Sequence, residues 1–151
     1  MDKTFLIVKC KRNSRVLDRV AYIKNAQGKK DYFSDIQFNN DNKSEYLELI
    51  LNEFSDYTVY APDMSHIDTI KYNLPQYNLD VLDWNPLVFS FDNFVIGKKY
   101  NELQDYFKIK IKDIKDYLFE SFNITPNSIH DPVYKCGLLK YLYEKTKKIG
   151  L

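Results

Sequence analysis

The first 34 residues constrain this chain more than any other stretch. Residues 4–10 are short, apolar and β-prone, with the uninterrupted run Phe5-Leu6-Ile7-Val8 inside them, and read as a buried strand. Residues 16–25 read as a second strand, which the turn Asn25-Ala26-Gln27-Gly28 joins to a third over 29–34. Three consecutive strands joined by turns predict an antiparallel meander. The helical patterns must therefore come later and pack on this sheet.

They begin after the polar stretch at 39–43. Ser44 is placed to cap a helix in which Tyr46, Leu47, Ile50, Leu51 and Phe54 recur at helical spacing. Residues 57–60 form a fourth strand, and Asp63, after Pro62, caps a short helix with Met64, Ile67 and Ile70 on one face. A fifth strand is predicted over 79–82, with 87–91 as a candidate continuation. Helical periodicity then covers about 100–107, about 111–122 and about 132–147. In the second of these Ile111, Ile114, Tyr117, Leu118 and Phe122 point inward, and Pro132 suits the first turn of the third. This order predicts an α/β fold: a mixed five-stranded sheet, an antiparallel meander followed by parallel strands, flanked by helices.

At 151 residues, 44% apolar and 28% charged, residues 1–151 read as one soluble domain rather than a disordered chain. The apolar runs are far shorter than the roughly 18 residues of a membrane span and too short for a signal-peptide core. Two cysteines, Cys10 and Cys136, make no disulfide framework. The expectation is a cytoplasmic protein with no membrane association. The four glycines approach no phosphate-cradling motif, and Cys10, His66, His130 and Cys136 lack the paired spacings of a zinc site. Both cysteines read as small packing residues, and His66 as a partly exposed helix residue. Trp84, beside Asn85-Pro86, reads as a loop residue open to contact.

The net charge of +1 hides a block pattern: +7 over residues 1–30, −10 over 31–95 and +4 over 96–151. If the outer blocks meet, one side of the molecule is basic and suits a polyanion or an acidic partner. If they face the middle block instead, the charges neutralise each other across the fold. The composition, rich in Asn, Lys, Ile, Asp and Tyr, has an AT-rich coding bias, so the positions of lysines matter more than their number.

Three segments carry a resemblance. Ile129-His130-Asp131-Pro132-Val133-Tyr134-Lys135-Cys136 opens the last helix; Asp56-Tyr57-Thr58-Val59-Tyr60-Ala61 leads through Ile67-Asp68 to Leu74; Thr4 to Lys11 is the first strand. Together they resemble the DnaQ-type 3′-5′ exonucleases of the ribonuclease H-like superfamily, whose active site is built from four carboxylates and a histidine. The resemblance implies an H-[DN]-A-x-x-D-A pattern on the last helix, an aspartate on the helix after strand four, and D-x-E at the end of strand one. It also implies two Mg or Mn ions around the scissile phosphate, with the histidine as general base.

Carried onto this chain, the resemblance keeps Asp68 and His130 but places Lys9 and Lys11 at D-x-E and Lys135 at the final aspartate. Three ammonium groups and one carboxylate do not suit two divalent ions. The expectation is a pseudo-exonuclease that has lost its metals, in which Lys9, Lys11 and Lys135 bind single-stranded DNA or RNA. The other reading of the lysines is a solvated, unused cleft. His130, with no metal-bound water to activate, then reads as a helix-entry residue. The 13 tyrosines and 10 phenylalanines are mostly core, with a base-stacking platform as the functional alternative. One alternative function is a scaffold docking on a polymerase, nuclease or defence complex; another is residual metal-dependent exonuclease activity using Asp18, Asp63, Asp68 and Asp131.

Overall fold

A computed structural model describes residues 2–39, 43–54, 56–74, 83–86 and 100–148. The strands are β1 (Lys3–Cys10), β2 (Leu17–Asn25), β3 (Tyr32–Gln37), β4 (Thr58–Ala61) and β5 (Asp83–Pro86). The helices are α1 (Lys43–Asn52), α2 (Met64–Asn73), α3 (Tyr100–Tyr106), α4 (Ile111–Phe122) and α5 (Pro132–Lys148). The strands lie side by side in the order β3-β2-β1-β4-β5. β1, β2 and β3 pair antiparallel, whereas β4 runs parallel to β1 and β5 parallel to β4. The molecule is thus α/β, with a mixed sheet flanked by helices.

β1 is paired on both edges and buried on both faces. Phe5 and Ile7 join Ala21 and Ile23 of β2 under α4 and α5, where Ile114, Leu118, Val133, Leu139 and Leu142 close the core. Leu6 and Val8 join Val20 and Tyr22 on the opposite face, under Leu47, Leu51 and Phe54 of the α1 segment and Ile70 of α2. The period-two alternation of a strand sorts this run into two cores. Cys136, fully buried on α5, donates its thiol to the Phe5 carbonyl at 3.3 Å, tying α5 directly to the central strand.

Several expectations shift by a few residues. β3 starts at Tyr32 rather than 29, because the turn closes through Lys29 N–H on the Ala26 carbonyl and Gly28 takes φ +77°. That left-handed conformation is one glycine adopts at no steric cost. α1 starts at Lys43, so Ser44 lies within its first turn rather than capping it, and Tyr46 is 50% exposed instead of inward. Ile111, the first residue of α4, is 44% exposed instead of inward. Trp84 stands in β5, paired with Val59, and not in a loop. The strand expected over 79–82 and its continuation at 87–91 lie outside the described residues. Asp63 does cap α2, accepting from Ser65 N–H at 2.9 Å.

Gly137 sits inside α5, where glycine ordinarily costs about 1 kcal/mol relative to alanine. Its reason is close helix packing: a Cβ there would come within 2.8 Å of Leu118 Cδ2 on α4. Leu118 is itself fully buried and has no room to withdraw. Gly137→Ala is therefore expected to destabilise the fold by about 1–2 kcal/mol net, since overpacking outweighs the gain in helix propensity. Urea denaturation with an unchanged m-value checks this.

Candidate functional site

β4 is short, and its pairing with β1 covers only Lys3, Thr4 and Phe5. Among the described residues, no strand meets the β4-side edge of β1 beyond Phe5. α2 fills the gap with side chains. His66 Nδ1 accepts the Val8 N–H at 3.0 Å, and Cys10 Sγ lies 3.9 Å from Thr69 Oγ1. Asn73 Oδ1 accepts the Leu17 N–H at 2.8 Å while its Nδ2 donates to the Arg15 carbonyl at 2.8 Å. Residues 66, 69 and 73 fall on one helical stripe, so one polar seam of α2 meets the β1 backbone through His66 and anchors the β1–β2 turn through Asn73. Arg15 is held further by its guanidinium, 4.2 Å from the Tyr72 ring centre.

The bond to Val8 fixes the His66 tautomer: Nδ1 is the acceptor, so Nε2 carries the proton. Burial lowers the His66 pKa, Asp63 opposes that shift, and the Lys135 ammonium adds to it, leaving a value of about 4. His66 is thus an imidazole kept neutral by burial, partly exposed on α2 as its sequence context suggests, and bonded to the central strand.

The lysines carried over from the resemblance gather around this end of the sheet. Lys9 is exposed at the end of β1, directly across from Arg19, and Lys11, Arg12 and Arg15 follow on an exposed turn. Lys135 is exposed on the first turn of α5, near enough to act on His66. Asp68 does not join them. It is exposed, about 160° around α2 from the residue that reaches β1, and that residue is His66. The signal for the role of His66 is the 66-69-73 polar stripe beside the apolar 67-70-74 stripe.

His130 is exposed in the loop before α5, and its backbone N–H donates to Ser128 Oγ at 3.2 Å. With Lys135 it lines a cavity of about 310 Å³ completed by Gln104, Ile111, Ile129, Tyr134 and Leu138. Asp131 is 8% exposed and fully engaged: it accepts from Val133 N–H at 3.0 Å and Asn127 N–H at 3.2 Å, and pairs with Arg19 at 3.4 Å. It is the cap of α5, and Asp63 the cap of α2. Two of the four acids considered for residual catalysis are therefore helix caps.

The donor set at the end of β1 does not fit two divalent ions. It offers ammonium groups, a neutral imidazole whose Nδ1 is taken, and a capping carboxylate. Among the described residues, no three His, Cys, Asp or Glu side chains gather as a metal group would require. Opposite charges from the blocks do meet elsewhere: Arg19 with Asp35, Lys24 with Glu53, and the nearly buried Lys140 with Asp31. Neutralisation thus describes the middle of the sheet, and a cationic rim describes the end of β1. No helix among the described residues is long and apolar enough to cross a membrane. No protein-family model, curated protein or solved structure matches this chain.

The depressed His66 pKa has a definite sign. Between pH 6.5 and about 4 the unfolded chain holds a proton on His66 that the folded chain lacks, so acid favours unfolding. Stability is expected to fall across that window by up to about 1.4 kcal/mol per pH unit. His66→Ala is expected to cost about 1–3 kcal/mol at pH 7 by orphaning the Val8 N–H. It should also flatten the pH 6.5–4 decline relative to wild type, as read by denaturation at a series of pH values.

Proposed function

We propose that this chain is a non-catalytic, ribonuclease H-like domain of the 3′-5′ exonuclease type that binds single-stranded nucleic acid at the C-terminal end of β1. The observation that carries the reading is the cationic rim of Lys9, Lys11, Arg12 and Arg15 on one side and Lys135 on the other. An antiparallel meander followed by parallel pairing on β1 supports the ribonuclease H-like part of the proposal. The unsuitability of the donor set for two divalent ions supports the non-catalytic part.

A strand's phosphates bind such a rim chiefly by displacing condensed counterions, with little sequence preference. The rim is partly preorganised: Arg15 rests on Tyr72, and Asn73 holds its carbonyl, so less freedom is lost on binding. The neutral His66 adds no charge at pH 7 and serves to hold the strand end in place beneath the rim.

Fluorescence anisotropy of single-stranded DNA and RNA oligonucleotides, titrated without metal at two salt concentrations, tests the proposal. Affinity is expected to fall steeply with salt, by a log–log slope of about 0.7 per phosphate contact. Replacing Lys9 and Lys11 together by alanine should reduce that slope by about 1.4. Salt-independent binding overturns the reading. Absence of binding at low salt overturns it in favour of a scaffold that docks on a protein of a nucleic-acid-processing complex. Chelator-sensitive shortening of the oligonucleotides would replace it with a metal-dependent exonuclease.

A further inference from the structure

The cationic rim engages phosphates, and a duplex presents phosphates as readily as a single strand does. Selecting a single strand takes a group that meets an unpaired base. Tyr72 is such a group. It lies in the last turn of α2 and is 52% exposed, with the Arg15 guanidinium 4.2 Å from its ring centre. Arg15 is itself exposed on the β1–β2 turn with Lys11 and Arg12, so the ring adjoins the cationic rim directly.

Unpaired bases stack on tyrosine rings and on the planes of arginine guanidinium groups, and here the two are in contact. Their backing is fixed. Asn73 holds the Arg15 carbonyl and the Leu17 N–H, both at 2.8 Å. The turn itself closes through the Lys11 N–H on the Val16 carbonyl at 2.8 Å and the Val16 N–H on Ser14 Oγ at 3.0 Å. A surface already ordered loses little freedom when a base lands on it. Asp68, exposed one turn back on the same face of α2, repels a phosphate beside the ring and leaves that place to an uncharged base. Tyr32 is also exposed, with Lys24 Nζ 5.2 Å from its ring centre. That pair lies toward the other end of the sheet, and Glu53 neutralises its lysine.

We infer that Tyr72, together with Arg15, stacks one unpaired base of the bound strand and so makes the rim selective for single-stranded over double-stranded nucleic acid. The inference rests on the nucleic-acid reading above and adds a base contact to its phosphate contacts. In a duplex each base face is covered by its neighbours in the stack, so the ring meets only sugar and phosphate there. Phosphate contacts then set the salt dependence, and the stack sets the choice of strand.

Wild type, Tyr72→Leu and Tyr72→Phe are titrated by anisotropy with a single-stranded 12-mer, with the duplex of the same sequence, and with a fully abasic 12-mer that keeps the phosphates and lacks the bases. Thermal unfolding is recorded for each protein. Tyr72→Leu is expected to weaken single-strand binding about 5- to 100-fold, the worth of one base–aromatic stack. Its salt slope should stay that of wild type, because no phosphate contact is lost, and its affinity for the abasic strand and the duplex should change far less. Tyr72→Phe, which keeps the ring, should restore single-strand binding. Equal losses on all three ligands assign Tyr72 only to holding Arg15, and the stacking inference falls while the rim reading stands. Unchanged single-strand binding by Tyr72→Leu has the same consequence. Equal affinity of wild type for the abasic and ordinary strands overturns the inference without any variant. If wild type binds none of the three at low salt, both readings fall.

Discussion

The fold depends on β1 being buried on both faces. A strand in that position must carry apolar residues at both parities, and Phe5-Leu6-Ile7-Val8 does so. One parity feeds the core beneath α4 and α5, the other the core beneath α1 and α2. β1 shares this task with β2, whose Ala21 and Ile23 face the first core and Val20 and Tyr22 the second. A polar residue at any of the four positions would break one core and leave the other without its backing.

The same strand creates the site. Because β4 stops early, the far half of β1 would leave backbone donors unmet in a half-buried place, and such donors are rarely left unmet. α2 supplies His66 in place of a strand, while its Asn73 holds the turn that leads into β2. The burial that makes His66 a good acceptor also makes it a poor cation. Positive charge in that corner is therefore carried by lysine and arginine on the exposed side. The cationic rim and the neutral histidine are two outcomes of one geometric fact, the length of β4.

Much of this was legible in the sequence. The meander, α2 with its Asp63 cap, α4 over Ile111–Phe122 and the Pro132 start of α5 follow from local periodicity and capping chemistry, which act over a few residues. What was not legible is tertiary. Tyr46 and Ile111 are exposed, although helical spacing alone places both on an inward face. That His66 rather than Asp68 reaches β1 depends on the rotation of α2 about its axis, which the bond to the Val8 N–H records from 58 residues away. Asp131 looked available for chemistry because its role as a cap becomes visible only when Asn127, Val133 and Arg19 converge on it. The cavity is beyond sequence reasoning, since its lining comes from three helices and a loop.

The thiol of Cys136 lies where α5 meets β1, bonded to the Phe5 carbonyl, and burial raises its pKa well above the ordinary thiol range. In the native molecule it is neither accessible nor ionised, and thiolate is the form that reacts. Cys10, half-buried at the open end of the strand, lies instead beside Thr69 of α2. The chain thus carries two chemical clocks, one where β1 meets α2 and one where it meets α5. Cys10 keeps time with motions of the strand's end, and Cys136 starts only when α5 lifts off the sheet.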